Sequence, residues 1–332
     1  MKVRPLLQLL AALGVVAGLW QLTAMLTRGV ERHRLDPGWT IVRPPSEVCT
    51  LALVDGVLWT GGRDGLVLVD RHTLHPAPVP EGAPEFPRVW AILADRRGRV
   101  WVGHDGGLEL WEEGLWSHRE LPGLRRVLAL AEDPEGRILA GGEAGVAVGP
   151  EPGWQRLAIP PEATLPAFDL VFVDRDGTLW LGSSHPTRGG LVAFDGTTWT
   201  RCSVGAELPH PSVNAVVRDG RGDLWVGTGF ASRGGAARFS GGHWSFLGET
   251  DGLAGPKVRS IFPDRGGRLW FGSEYHGMAI LEPDGSWHRI PPGRGLAGRE
   301  VKVMLEDDTG YWFGTDSGLS RFRKGDTPPW TP

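Results

Sequence analysis

One sequence pattern recurs seven times between Val48 and Thr315, and it constrains the fold more than any other feature of the chain. Residues 213–228 and 258–273 show it most clearly, because both consist of an apolar run, an Asp-x-x-Gly turn and Leu-Trp-x-Gly. The Trp position of the pattern recurs at spacings of 42, 38, 41, 45, 45 and 42 residues, at Trp59, Trp101, Leu139, Trp180, Trp225, Trp270 and Trp312. A period of about 42 residues is typical of the blades of a β-propeller.

Each repeat contains four short segments that carry the signals of β-strands. An apolar segment such as Val89–Leu93 comes first, Leu-Trp-x-Gly follows the turn, and Gly-Leu-x-x-Phe and a segment that begins with Trp complete the unit. The 50 glycines and 27 prolines among 332 residues disfavour helices and supply the tight turns that such strands need. The sequence therefore predicts an all-β fold, a seven-bladed β-propeller of four-stranded antiparallel blades, over residues 35–325.

The segment 38–43 has the sequence of a fourth strand that belongs to no repeat of its own. Tryptophans begin the fourth strand after repeats two to six, and Trp39 stands in the same context before repeat one. Repeat seven lacks such a strand after Phe322. Trp330 is the alternative, but two prolines precede it and it lies eight residues after Phe322, where other repeats have five. We expect residues 38–43 to pair with Gly318–Phe322 and to close the ring.

An apolar segment, residues 5–26, lies between basic residues at the start of the chain. A helix of this length spans about 33 Å, which is enough to cross the hydrocarbon core of a bilayer. We expect residues 1–34 to form a single transmembrane helix, acting as an uncleaved membrane anchor, and a short linker. A cleavable signal peptide is the alternative. Residues 326–332 are expected to form a short tail.

The repeat motifs resemble those of the two-component regulator propeller family. Asp307–Phe322 and Asp219–Thr228 match its signature, in which a hydrophobic strand and Asp-x-x-Gly lead to Leu-Trp-Ile-Gly-Thr and Gly-Leu-x-Arg-Phe. The resemblance covers residues 38–322 and implies a propeller fold, an extracytoplasmic position and a role in ligand sensing. In that family the propellers usually form the sensor part of membrane histidine kinases, whereas we expect a stand-alone propeller here, without a fused kinase. The sequence thus predicts a single-pass protein of the cytoplasmic membrane with a periplasmic propeller.

The charge of the chain is divided unevenly between its two parts. The formal net charge is −4, and residues 1–34 carry five basic residues and one acidic residue, so the remainder carries −8. An acidic body offers no electrostatic footprint for nucleic acid, and we expect no nucleic-acid partner. The two cysteines, Cys49 and Cys202, fall in blades on opposite sides of the ring and are expected to be free thiols.

We expect no metal ion, no cofactor and no catalytic residue in this chain. The segment Asp174–Gly177 bears a faint likeness to a calcium loop, but it lacks the spaced oxygen ligands and occupies the turn position of the other repeats. His72 and His75 lie three residues apart, without a third ligand nearby in the sequence.

Two features differ from one repeat to the next and indicate a binding face. The loops between strands two and three are longer in repeats four and five than in repeat seven. The variable position, which is the residue after the leading apolar residue of each inner strand, changes while its neighbours repeat: Cys49, Trp90, Leu128, Asp169, Asn214, Arg259 and Lys302. In a propeller both features lie at one mouth of the central channel. Ordinary loop variation, or side chains directed between blades, would explain them without a ligand.

The predicted ligand contacts combine hydrogen-bonding groups with aromatic faces, which suit polar ligands such as a glycan or a peptide. They are Trp90, Asp169, His185, Arg188, Asn214, Phe230, Arg233, Arg259, Tyr275, His276 and Lys302. Most of them fall in repeats four to seven, so the site is expected to lie off-centre. We expect a monomer that binds a small polar ligand or a partner protein.

The sequence favours a ligand-binding or protein-interaction module with a sensory role over an enzyme. The alternative is a propeller enzyme similar to the streptogramin lyases, whose repeats also contain Asp-Gly-x-Leu-Trp. A lyase needs a base and usually a mouth organised by a metal ion. The sequence shows neither a His–Glu cluster nor matched carboxylates that would serve these roles.

Overall fold

The computed structural model describes residues 35–149 and 153–325. These residues form 28 strands, β1–β28, arranged as seven four-stranded antiparallel sheets. In six of the sheets the strands follow one another in chain order, and in the seventh the first strand of the chain takes the outermost place. The predicted all-β, seven-bladed propeller is therefore confirmed.

The strands of the first four blades are as follows. Blade one contains β2 (Thr50–Val54), β3 (Val57–Gly62), β4 (Gly65–Asp70) and β5 (Pro76–Ala77). Blade two contains β6 (Val89–Ala94), β7 (Val100–His104), β8 (Gly107–Glu112) and β9 (Leu115–Arg119). Blade three contains β10 (Ala129–Glu132), β11 (Ile138–Gly142), β12 (Gly145–Gly149) and β13 (Gln155–Arg156). Blade four contains β14 (Leu170–Val173), β15 (Leu179–Ser183), β16 (Gly190–Phe194) and β17 (Trp199–Arg201).

The remaining blades complete the ring. Blade five contains β18 (Val213–Arg218), β19 (Leu224–Phe230), β20 (Arg233–Ser240) and β21 (His243–Leu247). Blade six contains β22 (Val258–Pro263), β23 (Leu269–Ser273), β24 (Met278–Leu281) and β25 (Trp287–Ile290). Blade seven contains β26 (Val301–Glu306), β27 (Gly310–Thr315), β28 (Gly318–Arg323) and β1 (Trp39–Val42). Two short 3-10 helices, Pro161–Ala163 and Glu249–Asp251, lie between blades.

The ring is closed by β1, which we call the closing strand. It pairs antiparallel with β28, so that Trp39 lies opposite Phe322 and Val42 opposite Leu319. Trp39 is 6% exposed, and its ring centroid lies 5.3 Å from that of Phe313 and 5.2 Å from that of Phe322. The pairing expected from the unmatched Trp39 segment is therefore present in the structure.

In four blades the Asp and the Trp of the repeat motif are bonded to each other, whereas in blade four the indole nitrogen of Trp180 has no hydrogen-bond partner. In blade five, one carboxylate oxygen of Asp219 accepts the backbone N–H of Asp223 at 2.9 Å, and the other accepts the indole N–H of Trp225 at 2.9 Å. Equivalent indole hydrogen bonds of 2.9, 3.0 and 3.0 Å join Asp95 to Trp101, Asp264 to Trp270 and Asp307 to Trp312. The ring of Trp225 packs into the core shared with blade six. The Asp-to-Trp spacing of the repeat, six residues in blades two, five and six and five in blade seven, thus reflects one bonded unit that joins a turn to the interface between blades.

The Gly of Leu-Trp-x-Gly permits close approach of the next blade. A Cβ atom at Gly61 would lie 2.4 Å from Cγ1 of Val89, and one at Gly314 would lie 2.6 Å from Cγ1 of Val48. Such distances leave no room for a side chain. Because Gly314 belongs to blade seven and Val48 precedes blade one, the same packing continues across the closure of the ring.

The long loop expected between strands two and three of repeat five is instead mostly strand. Strands β19 and β20 continue as a paired hairpin as far as Phe230 and Arg233, with only two residues between them. Gly229 and Gly234 lie opposite each other with φ of 132° and 144°, which explains why glycines at these positions lengthen the hairpin rather than opening a loop.

The predicted membrane-spanning segment, residues 5–26, the rest of the predicted anchor and the tail 326–332 all lie outside the described residues. Within residues 35–149 and 153–325, no helix is both long and apolar enough to cross a membrane.

Candidate functional site

The variable position of the inner strand coincides with a β-bulge in four blades. In blade five, Val213 pairs with Thr228 and Ala215 pairs with Gly227, so that Asn214 between them has no partner in the ladder. The same register shift surrounds the variable residue of blades two, six and seven. A bulge redirects one side chain and frees it from the inward–outward alternation of its strand. This explains how the position varies while its neighbours keep the packing of the repeat.

All seven variable residues line one cavity of about 720 Å³, which we call the channel mouth. Each of the seven is half-buried. Beside the variable residues Cys49, Trp90, Leu128, Asp169, Asn214, Arg259 and Lys302, the lining comprises Arg126, Glu143, Pro166, Ala167, Ser183, Ser184, His185, Pro186, Arg188 and Val213. A concave site of this size is in the range that binds small molecules.

The structure brings together seven of the eleven predicted contact residues. Those at the channel mouth are Trp90, Asp169, His185, Arg188, Asn214, Arg259 and Lys302. The other four, which form the outer rim on blades five and six, are outside the lining: Phe230, Arg233, Tyr275 and His276. Phe230 and Tyr275 are 49% and 48% exposed. Ligand binding at either group stays a prediction.

The expected bias toward repeats four to seven differs from the observed lining. The lining is weighted toward blades three and four, because Arg126, Glu143 and the loop from Ser183 to Arg188 contribute to it. Blades six and seven each contribute only the variable residue to it. The six-residue connection between β15 and β16 accounts for the shift, since it is long enough to reach the mouth.

Asp169 is a half-buried carboxylate at the mouth. It accepts hydrogen bonds from the backbone N–H of Ser184 at 2.9 Å and from the hydroxyl of the same residue. Burial raises the pKa of Asp169, and the Ser184 hydrogen bonds and the charge of Arg259 only partly offset this. A carboxyl group with a raised pKa in a cleft is a frequent feature of binding and catalytic sites.

Glu47 is the centre of an ion network that joins blades seven, one and two. Its carboxylate accepts hydrogen bonds from Lys302 at 2.6 Å, Arg88 at 2.8 Å and Arg63 at 3.3 Å. Burial by itself would raise the pKa of Glu47, but the hydrogen bonds and charges of these three cations lower it to about 2. Burial also acts to lower the pKa of Lys302, yet the bond to Glu47 and the nearby negative charges raise it. Lys302 and Glu47 are therefore both charged at neutral pH.

We expect Glu47→Gln to lower the free energy of unfolding by about 3 kcal/mol at pH 7, because it leaves three cations around a buried amide. The folded-state pKa of about 2 lies below the ordinary value of 4.5, so the stabilisation is complete above pH 4.5 and is lost as the pH falls toward 2. Urea unfolding at several pH values should show the difference between wild type and variant shrinking over that window.

The matched control for this prediction is Glu143→Gln, which removes an exposed carboxylate 2.9 Å from Arg126 at the same mouth. This change should cost less than about 1 kcal/mol. A difference between wild type and Glu47→Gln that stays constant from pH 5 to pH 2 would contradict the assignment.

Sequence reasoning missed Glu47, Arg88 and Glu300, which pair with or stack on variable residues. Glu300 accepts a hydrogen bond from Arg259 at 2.9 Å, and the Arg88 guanidinium lies 4.3 Å from the ring centroid of Trp90. All three occupy the position just before the inner strand's leading apolar residue. That position also varies among the repeats, so extending the comparison by one residue could have found them.

The face that carries the Asp-x-x-Gly turns has a groove of its own. The groove, of about 650 Å³, lies between blades five and six and is lined in part by Arg221, Phe246, Arg265 and Trp287. Turn residues of both blades line it together with strand residues such as the half-exposed Phe246 on β21.

Cys49 and Cys202 are both free thiols, as predicted. In the part of the chain that the structure describes, no group of three or more His, Cys, Asp or Glu side chains is placed to hold a metal ion. The pair His104 and His118 shares the carboxylate of Glu109 at 3.7 and 2.7 Å. Since Nδ1 of His104 accepts the backbone N–H of Gly106, its proton sits on Nε2, which disfavours metal ligation there.

Comparison with solved structures finds the same fold in several proteins of low sequence identity. The extracellular domain of the hybrid two component system BT3049 from B. thetaiotaomicron superimposes with a TM-score of 0.72 at 17% identity, over 87% of this chain and 41% of that one. Virginiamycin B lyase from Staphylococcus aureus, solved with quinupristin, superimposes with a TM-score of 0.67 at 13% identity, over 85% of this chain and 98% of the lyase. PorZ, a surface component of the type-IX secretion system of Porphyromonas gingivalis, superimposes with a TM-score of 0.64 at 18% identity, over 87% of this chain and 48% of PorZ.

These identities are low enough that the likeness shows the fold alone. The chain spans less than half the length of the BT3049 and PorZ chains that it matches. A comparison with curated protein sequences gives no match.

The family comparison matches the repeats themselves. Residues 86–106, 207–230 and 252–275 match the model of the two component regulator propeller. These segments cover the inner strand, the turn and most or all of the second strand of blades two, five and six, where the Asp–Trp unit lies. Three of the seven blades therefore match the repeat of the two-component regulator propeller family, in agreement with the resemblance of the motifs.

Proposed function

We propose that this propeller is a ligand-recognition module of the two-component-regulator type, which binds a small polar ligand or a segment of a partner protein at the channel mouth. The observation that carries the proposal is the meeting of all seven variable residues in one cavity. Blade packing does not require their variety, because four of them occupy bulges outside the strand ladder. Recognition of a ligand would account for it.

Binding accounts for the mouth better than catalysis. Lys302 and Arg259 are held by the carboxylates of Glu47 and Glu300, which fixes their positions. Asp169 bonds to Ser184 of the adjacent loop rather than to a histidine that could act with it in proton transfer. Fixed donors and acceptors around a cavity select a ligand by its shape and hydrogen bonds.

The proposed position of the propeller is the extracytoplasmic side of the membrane, with residues 5–26 as the anchor. Its support is the apolar segment between basic residues, together with the extracellular position of the BT3049 domain that shares the fold. Protease added to intact spheroplasts should digest the propeller. Protection from the protease in intact spheroplasts, with digestion after lysis, would contradict the position.

The experiment that tests recognition is a thermal-shift screen of glycans and peptides against the full chain, followed by titration of the best compound. Arg259→Ala and Asp169→Asn should each weaken its binding about tenfold, since a buried polar contact contributes on the order of 1–3 kcal/mol. The control is Arg265→Ala, an exposed arginine on the opposite face, which should leave the affinity unchanged.

The outer rim enters the same experiment as a separate arm. Tyr275→Ala should change the affinity less than twofold if the cavity alone holds the ligand. A loss of binding in Tyr275→Ala with none in Arg259→Ala and Asp169→Asn would move the site to the outer rim and overturn the proposal.

A further inference from the structure

The chemistry of the variable residues is sorted around the circumference of the channel mouth. Blades two and three present Trp90 and Leu128, and blades four and five present Asp169 and Asn214. Blades six and seven present Arg259 and Lys302. The variable residues therefore form an apolar arc, an acceptor arc and a cationic arc, each from two neighbouring blades, with Cys49 of blade one between the cationic and the apolar arc. The mouth is also lined by Arg126, Glu143 and Arg188, which lie on blades three and four outside this sorting.

The acceptor arc has hydrogen-bonding capacity that the protein does not use fully. The amide nitrogen of Asn214 donates to the backbone oxygens of Gly229 at 3.1 Å and Val258 at 3.0 Å, which directs the carbonyl oxygen away from them. The carboxylate of Asp169 has about four acceptor sites and accepts hydrogen bonds from the backbone N–H and the hydroxyl of Ser184. Its raised pKa shows that burial is not balanced by the cations nearby. A positively charged donor would satisfy both residues.

The cationic arc belongs to an ion network that carries more positive than negative charge. Around Glu47 and Glu300 lie the side chains of Lys302, Arg259, Arg88 and Arg63, which makes four cations for two carboxylates. The pair of Arg259 with Glu300 uses Nε of the guanidinium at 2.9 Å. A guanidinium has five N–H donors, so its terminal nitrogens can bind an anionic group at the same time.

We propose that the channel mouth binds a zwitterion with an apolar side chain, of the size of an amino acid or a dipeptide. The carboxylate lies on Arg259 and Lys302, the ammonium on Asp169 and Asn214, and the side chain against Trp90 and Leu128. The inference rests on the proposed function and specifies its ligand. A neutral glycan would bring neither an anionic group to the terminal guanidinium nitrogens of Arg259 nor a cationic group to Asp169.

Isothermal titration of the full chain tests this with four probes. L-leucine and L-leucyl-L-leucine carry both charges, N-acetyl-L-leucine lacks the ammonium and L-leucinamide lacks the carboxylate. At least one zwitterion should bind, and removal of either charge should weaken that binding at least tenfold. Maltose serves as the neutral probe and should give no heat of binding.

Variants then assign each charge to its arc. Asp169→Asn should weaken the binding of L-leucine at least tenfold and leave the affinity for N-acetyl-L-leucine unchanged. Arg259→Gln should weaken the binding of L-leucine and leave the affinity for L-leucinamide unchanged. Arg265→Gln on the opposite face is the matched control.

Each outcome separates this inference from the proposed function. If neither zwitterion binds, or if Asp169→Asn and Arg259→Gln affect all charged probes alike, the inference is wrong. If maltose or another neutral compound binds and these two variants abolish its binding, the inference is wrong and the proposed function is supported. If L-leucine binds equally well to every mouth variant, both fail.

Discussion

Deletion of residues 38–43 is expected to abolish the cooperative thermal unfolding of the propeller. The deletion removes the closing strand, exposes the edge of β28 and opens the ring between blades seven and one. Truncation of the buried Trp39 alone lowers the free energy of unfolding by about 3–5 kcal/mol, and loss of Val42, which is 4% exposed, lowers it further. The sum is comparable to the whole free energy of unfolding of an ordinary domain, about 5–15 kcal/mol. Circular dichroism during heating would measure it.

A milder variant keeps this test informative if the deletion variant does not fold. Trp39→Ala should lower the free energy of unfolding by about 3–5 kcal/mol. Its control is Trp199→Ala, which truncates the half-buried first residue of the outer strand of blade four, stacked 4.7 Å from Phe194. The control should cost about 1–2 kcal/mol. If both variants lose the same free energy of unfolding, the closing strand stabilises the propeller no more than an ordinary outer strand does.

Asp264→Ala is expected to lower the free energy of unfolding by about 4 kcal/mol. The side chain is fully buried and accepts hydrogen bonds from the indole of Trp270 at 3.0 Å, the hydroxyl of Tyr311 at 3.1 Å and the backbone N–H of Arg268 at 2.8 Å. Since Tyr311 belongs to blade seven, the substitution removes the acceptor of a bond between blades as well as the turn's own. Each buried donor left without an acceptor costs about 1–3 kcal/mol. Urea unfolding measures the change.

The control for Asp264→Ala is Asp133→Ala in blade three. There the repeat has Leu139 in place of Trp, and the carboxylate bonds to the backbone N–H and the guanidinium of Arg137. Because no indole depends on it, this substitution should cost about 1–2 kcal/mol. A loss as large as that of Asp264→Ala would mean that the turn, and not the bond to Trp270, carries the energy.

The candidate site was only partly predictable from the sequence. The variable position and the loop from Ser184 to Gly189 are local features, so comparison of the repeats identified them. The outer rim was grouped with the mouth because both lie on the strand two–three side of their blades. The structure separates them, since Tyr275 sits on a loop whose tip is half-exposed rather than turned toward the axis.

The bulges explain what comparison of the repeats could not show. Asn214 and Arg259 look like ordinary strand residues in the sequence, where a strict alternation would fix the direction of each side chain. The register shift that frees them depends on hydrogen bonds between strands one and two. Such bonds have no signature in a single strand.

The sequence by itself determined the number of blades, their four-strand plan and the strand that closes the ring. Each of these follows from a short pattern, Asp-x-x-Gly, Leu-Trp-x-Gly or Gly-Trp39, whose physical cause lies within a few residues. The tertiary structure alone decided the electrostatics of the mouth. Lys302 and Glu47 are separated by 255 positions, and only the closed ring brings them to 2.6 Å. Local chemistry repeats along the chain and can be compared there, whereas a charge pair between the two ends of a ring exists only after closure.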